Sequence, residues 1–273
     1  MRNVAVALLM SLLAAGCATQ APKHTATSAV EFLYPNTREP VDQPAVPTLA
    51  LPLRVGIAFV PGTASNANLA LTEKRKTDVL DEVANHFRKL PYVKSIEVIP
   101  SAYLRPKGSF ANLDQIRTMY GVDVVALVSY DQTQFTDQGL LSLTYWTVVG
   151  AYIVRGQKNA THTMLDTVVY DIRSRKLLFR APGLSEIQAR STLVNMSEQL
   201  RKNSEDSVTE ATADMIKNLD TQLVSFQAKV KERPEEFRVV ESSGYRGGGA
   251  IDLWLLALLV AAASGGLVSR RLR

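Results

Sequence analysis

Two apolar runs, one near each end of the 273-residue chain, confine whatever folds to the stretch between them. The first occupies residues 4–13, after Met1, Arg2 and Asn3, and leads into Ala14, Ala15 and Gly16. A positive start, about ten apolar residues and a small-residue ending form a secretory signal peptide, too short for the roughly 20 residues of a spanning helix. The second run, 250–268, holds 19 residues and is apolar except for Asp252, Ser264 and two glycines. At about 1.5 Å per residue it is just long enough to cross a bilayer. Asp252 and Trp254 fall at one interface, and Arg270, Arg271 and Arg273 stand beyond the other, which the positive-inside rule assigns to the cytoplasm. Both ends thus predict a body that faces the periplasm.

The small residues of the first run stop at Cys17, the only cysteine, so no intramolecular disulfide can form. This ending resembles the bacterial lipobox, with Ala14 where Leu is usual and Leu13 one position earlier. The resemblance implies removal of residues 1–16 by the lipoprotein-processing enzymes. Cys17 then becomes the mature N-terminus, bearing a diacylglycerol and a third acyl chain. Two or more chains anchor stably, since each buried methylene contributes about 0.8 kcal/mol. Ala18, rather than Asp, follows Cys17, which favours the outer membrane. The alternative is an ordinary signal-peptidase site beside a chance cysteine.

Gly247, Gly248 and Gly249, the apolar run and the terminal Arg270, Arg271 and Arg273 together resemble the GlyGly-type C-terminal sorting signal. Such a signal is cut near its glycines by rhombosortase, a rhomboid-family intramembrane protease. Glycines propagate helix poorly, so the helix can unwind there and offer an extended peptide. Asp252 weakens the same end, because a carboxylate in lipid is costly. The alternative is a permanent C-terminal anchor.

A lipobox and this tail in one chain of this length resemble the rhombotarget lipoprotein family. The resemblance implies a small bacterial envelope lipoprotein that rhombosortase processes; it implies no molecular activity.

The charge looks different once these addresses are set apart. The chain has 31 Lys+Arg against 26 Asp+Glu, a net +5. Residues 1–16 and 249–273 hold Arg2, Arg270, Arg271 and Arg273 against Asp252, leaving 27 against 25, or +2. Most of the basic excess is membrane-topology signal, so a nucleic-acid partner is not expected. A hydrophobic fraction of 46% excludes a mainly disordered chain.

The reading divides the chain into a signal peptide (1–16), a lipidated Pro-rich tether (17–52), a periplasmic α/β domain (53–231), a Gly-rich spacer (232–249), the sorting helix (250–268) and a basic tail (269–273). Six prolines keep the tether extended, and Phe32, Leu33 and Tyr34 form a patch able to dock on the domain. Strands are expected at 53–60, 95–99 and 122–130, the last strongly apolar and so central in a sheet. Helices are expected after the polar loop 65–68, where Leu71, Val79, Leu80, Val83, Phe87 and Leu90 share a face, and at 113–120, stopped by Gly121. Strands at 140–152, 163–172 and 176–179 follow, then one or two long helices over 187–230, with a possible bend at Asn203 or Ser204. The fold class is α/β (α+β): a mixed sheet with helices, β-α-β-α-β, a strand meander and a long C-terminal helix. This order is similar to that of the small partner-binding domains of several envelope lipoproteins, a likeness of topology alone.

Chemistry is sparse. His24, His86 and His162 have no metal-binding spacing, and no nucleophile elbow, P-loop or dinucleotide fingerprint is present. No catalytic residue, metal or cofactor is expected. Asp131, Asp137 and Gln132-Thr133-Gln134 read as a polar loop after the central strand, where α/β sheets tend to bind ligands. Lys74, Arg75 and Lys76 with Arg88 and Lys89 read as a basic helix face. The expectation is a non-catalytic envelope lipoprotein that meets rhombosortase, membrane lipid (through Cys17 and 250–268) and an envelope protein partner. The alternatives are a permanent bitopic scaffold and an envelope hydrolase whose site has no sequence signature.

Overall fold

The computed structural model describes residues 23–35, 45–62, 70–138, 157–191 and 195–242. Its strands are β1 (Lys23–Ala26), β2 (Thr48–Leu51), β3 (Leu53–Phe59), β4 (Val93–Val98), β5 (Val124–Gln138), β6 (Gln157–Asp171), β7 (Leu177–Ser191) and β8 (Arg238–Glu241). Its α-helices are α1 (Ala29–Leu33), α2 (Glu73–Phe87), α3 (Ser109–Tyr120) and α4 (Met196–Glu232). Cys17, the Gly247–Gly249 motif, the 250–268 run and Arg270, Arg271 and Arg273 lie outside the described residues. Among the described residues no helix is long and apolar enough to cross a membrane.

The main sheet has the order β4-β3-β5-β6-β7, with β1 added along the second half of β5. β3 pairs in parallel with β4 and β5, and β5, β6 and β7 form an antiparallel meander. The mixed sheet, the β-α-β-α-β start and the long last helix are as the sequence predicts. β5 is central because Val124, Val125, Leu127 and Val128 are all buried, whichever face they point to.

Each face of the sheet carries its own core. On one, Ile57, Phe59, Val124, Ala126 and Val128 meet Val79, Leu80, Val83 and Phe87 of α2 and Val208, Met215 and Phe226 of α4. On the other, Ala58, Val125, Leu127 and Tyr170 meet Phe32 and Leu33 of α1 and Phe110, Leu113 and Ile116 of α3. Thr72 caps α2 by accepting a bond from the Arg75 amide at 3.2 Å, and Gly121 ends α3 at φ 66°.

Three expectations are corrected. The first concerns the tether and spacer. β1 pairs with β5, from Lys23↔Gln134 to Ala26↔Asp131, and Phe32 and Leu33 of α1 are both 2% exposed. β2 pairs in parallel with β8, and Phe237 just before β8 packs against Phe226 at 5.4 Å. Residues 23–35 and 45–52, expected in the tether, and 232–242, expected in the spacer, therefore belong to the folded body. Apolar side chains at Phe32, Leu33 and Phe237 overrode the prolines and polar composition around them.

The second concerns the meander. β5 continues through the expected polar loop to Gln138, β7 runs on to Ser191, and 140–152 falls outside the description. The third concerns α4, which begins at Met196 rather than at 187 and passes through Asn203 and Ser204 as one helix of 37 residues, about 55 Å.

Tyr170 supplies a test of this packing. Burial, and then the neighbouring Tyr34 hydroxyl, push its pKa up to about 12, and burial pushes Tyr130 higher still. An unfolded tyrosine ionises near pH 10, so the folded state holds protons that the unfolded state releases. The stabilisation is complete below about pH 10 and is lost as pH rises through the folded value, by the order of 2 kcal/mol for Tyr170. In an alkaline titration, phenolate absorbance from these two rings will appear together with loss of circular dichroism. Ionisation of all nine tyrosines near pH 10 in an intact fold would contradict the packing.

Candidate functional site

Beyond the stretch where α1 and α3 cover it, the β5–β6–β7 meander has two unlike faces. Side chains alternate along each strand, so Gln132 and Gln134 turn toward α4 whereas Asp131, Thr133 and Phe135 turn away from it. This corrects the expected loop: the residues are strand, and Asp137 also falls on β5.

The face under α4 is a buried polar seam. Gln132 is fully buried; its Nε2 donates to Thr163 Oγ1 at 2.8 Å, and its Oε1 accepts from Ser204 Oγ at 2.8 Å. Ser207 Oγ donates to Thr163 Oγ1 at 2.7 Å, and Gln134 Nε2 donates to the Leu200 carbonyl at 3.0 Å. Asn159 Nδ2 donates to Ser191 Oγ at 2.6 Å. Asn159 Oδ1, Thr161 Oγ1 and Asn203 Nδ2 are buried and have no hydrogen-bond partner among the described residues. The first turns of α4 thus rest on hydrogen bonds, whereas its later turns rest on Met215, Leu219 and Phe226. Asn203 and Ser204 are the polar layer of that interface, so the break they make in the apolar stripe does not interrupt the helix.

Among the described residues nothing covers the opposite face. Strand register places His24, Thr133, His162 and Glu186 in one row across β1, β5, β6 and β7. The next row holds Asp131, Met164 and Leu184. Both rows line a shallow depression of about 380 Å³. Leu184 is 59% exposed and Phe135 41%, and the Phe135 and His162 rings meet edge to face at 5.6 Å. Around these apolar groups stand polar contacts, His24 Nε2 with Asp131 Oδ1 at 3.0 Å and His162 Nδ1 with Glu186 Oε2 at 3.8 Å, and an ion pair of Arg180 Nε with Asp166 Oδ1 at 2.7 Å. Large apolar side chains among polar ones on a broad shallow surface suit contact with a macromolecule.

The third histidine, His86, pairs with Asp220 Oδ2 at 2.9 Å and stacks on Phe87 at 4.8 Å, an edge position. Among the described residues no group of three His, Cys, Asp or Glu converges to hold a metal ion. The expected basic helix face separates into two ends. Lys74 binds Asp78 and Lys76 binds Glu73 at the start of α2, whereas Arg88 binds Asn85 and the Ile96 carbonyl past its end. Roughly 20 Å of helix lies between them. The open face of the meander escaped the sequence reading; its signal was the alternation of Asp131, Thr133 and Phe135 with Gln132 and Gln134.

Fold and surface define a mixed-sheet α+β protein with helices on both faces and, among the described residues, an uncovered strand surface. No protein-family model matches the chain, and no curated protein matches it. Among solved structures it is similar to a PelC dodecamer subunit from Paraburkholderia phytofirmans, at 15% identity over 73% of this chain and 96% of that one, with a TM-score of 0.30. A putative neuraminyllactose-binding hemagglutinin homolog from Helicobacter pylori matches at 8% identity, 66% and 90% coverage and a TM-score of 0.35. The lipoprotein GNA1162 from Neisseria meningitidis matches at 13% identity, 57% and 92% coverage and a TM-score of 0.24. Likenesses this distant carry no argument about function.

Proposed function

We propose that this chain is a bacterial cell-envelope lipoprotein of the rhombotarget type, whose periplasmic domain binds a protein partner without catalysing a reaction. Cys17 carries the lipid, and rhombosortase trims the chain near Gly247, Gly248 and Gly249, with Arg270, Arg271 and Arg273 holding the sorting helix in place beforehand. After processing the protein stands on the outer membrane and faces the periplasm.

The observation that carries the partner-binding reading is this face of β5–β7, on which Leu184, 59% exposed, and Phe135, 41% exposed, stand among polar side chains. An exposed position tolerates substitution, so Leu184→Glu changes folding stability by no more than about 0.5 kcal/mol. At the centre of an interface the same change weakens binding at least tenfold. A photo-crosslinking residue at position 184 of the full chain, in living cells, will give one discrete adduct, and Phe135→Ser in the same chain will remove it. Absence of any adduct at 184, with the protein folded and correctly placed, would overturn this face as the partner site.

A further inference from the structure

The end of the body nearest Cys17 carries a basic cleft, and we infer that it docks on an anionic lipid surface. The cleft, of about 730 Å³, opens between the first turns of α2 and α4 beside the start of β1. It is lined by Lys23, Lys74, Arg75 and Arg201, with Asp78 and Glu205 as its carboxylates. Lys74 Nζ reaches Asp78 Oδ2 at 2.7 Å, Arg201 Nη1 reaches Glu205 Oε1 at 3.0 Å, and Arg75 Nη2 donates to Thr209 Oγ1 at 2.6 Å. Four cations thus face two carboxylates. Arg75 Nε is buried there and has no hydrogen-bond partner among the described residues.

Position supplies the argument for a membrane. β1 begins at Lys23, six residues after Cys17. Six residues span at most about 20 Å whatever their conformation. A lipid on Cys17 therefore keeps Lys23, and the cleft it lines, within about 20 Å of the membrane surface. The inference rests on the lipid-anchor reading of Cys17. A long tether, as the sequence alone suggested, would have imposed no such orientation. Polyanions in solution would meet the same charges, but nothing holds them there, whereas headgroups are held by the chain's own anchor. Each basic side chain near an anionic surface strengthens attachment about fivefold, and the two carboxylates offset part of this.

The test uses the full mature chain, added to preformed vesicles of phosphatidylcholine alone or with about one-third phosphatidylglycerol. An uncharged amine-acetylating reagent then reads lysine accessibility by mass spectrometry. Lys94 on β4 is the internal control; it lies near the opposite end of the sheet, roughly 30 Å away. On the anionic vesicles Lys23 and Lys74 will react about fivefold more slowly relative to Lys94, and high salt or Arg201→Gln will relieve the protection. Equal reactivity on both vesicle types, or protection indifferent to salt and to Arg201→Gln, would overturn the docking. The intact mass of the same sample shows separately whether Cys17 bears lipid. If it does not, the lipoprotein reading fails, and flotation of the unlipidated chain with anionic but not zwitterionic vesicles would still support the cleft; no flotation with either would overturn it.

Discussion

Gly183→Ala will cost the protein about 3 kcal/mol or more, lowering its melting temperature by roughly 10 °C for a body of this size. At this point α4 crosses β7 so closely that a Cβ on residue 183 would lie 2.1 Å from the Ala211 carbonyl oxygen and 2.5 Å from both the backbone nitrogen and the Cβ of Met215. Helix backbone cannot rotate aside as a side chain can, so α4 would have to lift from the sheet. Lifting it strains the bonds that close the strand edge: Asp214 Oδ2 accepts the Leu184 amide at 3.0 Å, and Asn218 Nδ2 donates to the Pro182 carbonyl at 2.8 Å. The loss is a large part of a typical stability of 5–15 kcal/mol. Gly56→Ala is the control, because its Cβ would meet the flexible Cδ1 of Ile99 at 2.7 Å, which can move away. Its expected cost is about 1 kcal/mol. Urea midpoints of the two variants will differ in that order; equal midpoints would contradict the close crossing of α4 over β7.

Cys17→Ala has the largest expected effect on placement. If Cys17 carries the lipid that the lipobox resemblance implies, a chain without that thiol takes up no acyl label. In cells fed an acyl-chain analogue, the label on this protein will fall to background, while the folded body, which begins at Lys23, keeps its melting temperature. Undiminished label on the Cys17→Ala chain would place the acyl group elsewhere. Processing and folding are separable here because β1 pairs with β5 entirely downstream of the lipid site.

Much of this fold is legible in the residues, and the exceptions share a cause. The α2 stripe of Val79, Leu80, Val83 and Phe87 is buried as its spacing predicts, Gly121 stops α3, and the continuous apolar run at 124–128 is the sheet centre. These are signals that a window of a few turns contains. The misread segments are those whose partners are far away in sequence. Phe32 and Leu33 look like a patch on a proline-rich linker until Ser129 and Tyr130, about a hundred residues on, supply bonds to Ala29 and Thr27. Gln132 and Gln134 look like loop because a buried strand face is normally apolar; here Thr163, Ser204 and the Leu200 carbonyl satisfy them. Pro182 and Gly183 look like the end of a strand, yet β7 passes through them because it is an edge strand whose free side α4 closes. The terminal motifs, Cys17, the three glycines and the arginines, lie outside the described residues.

The central claim, a lipid-anchored chain trimmed at its far end, is tested most directly by the intact mass of the native protein, isolated from cells with and without the sorting protease. In both strains the N-terminus should be Cys17 bearing its lipid. Residues 250–273 should be missing only where the protease is present. A wild-type mass that retains Arg273, or an N-terminus at Cys17 without lipid, would contradict the account.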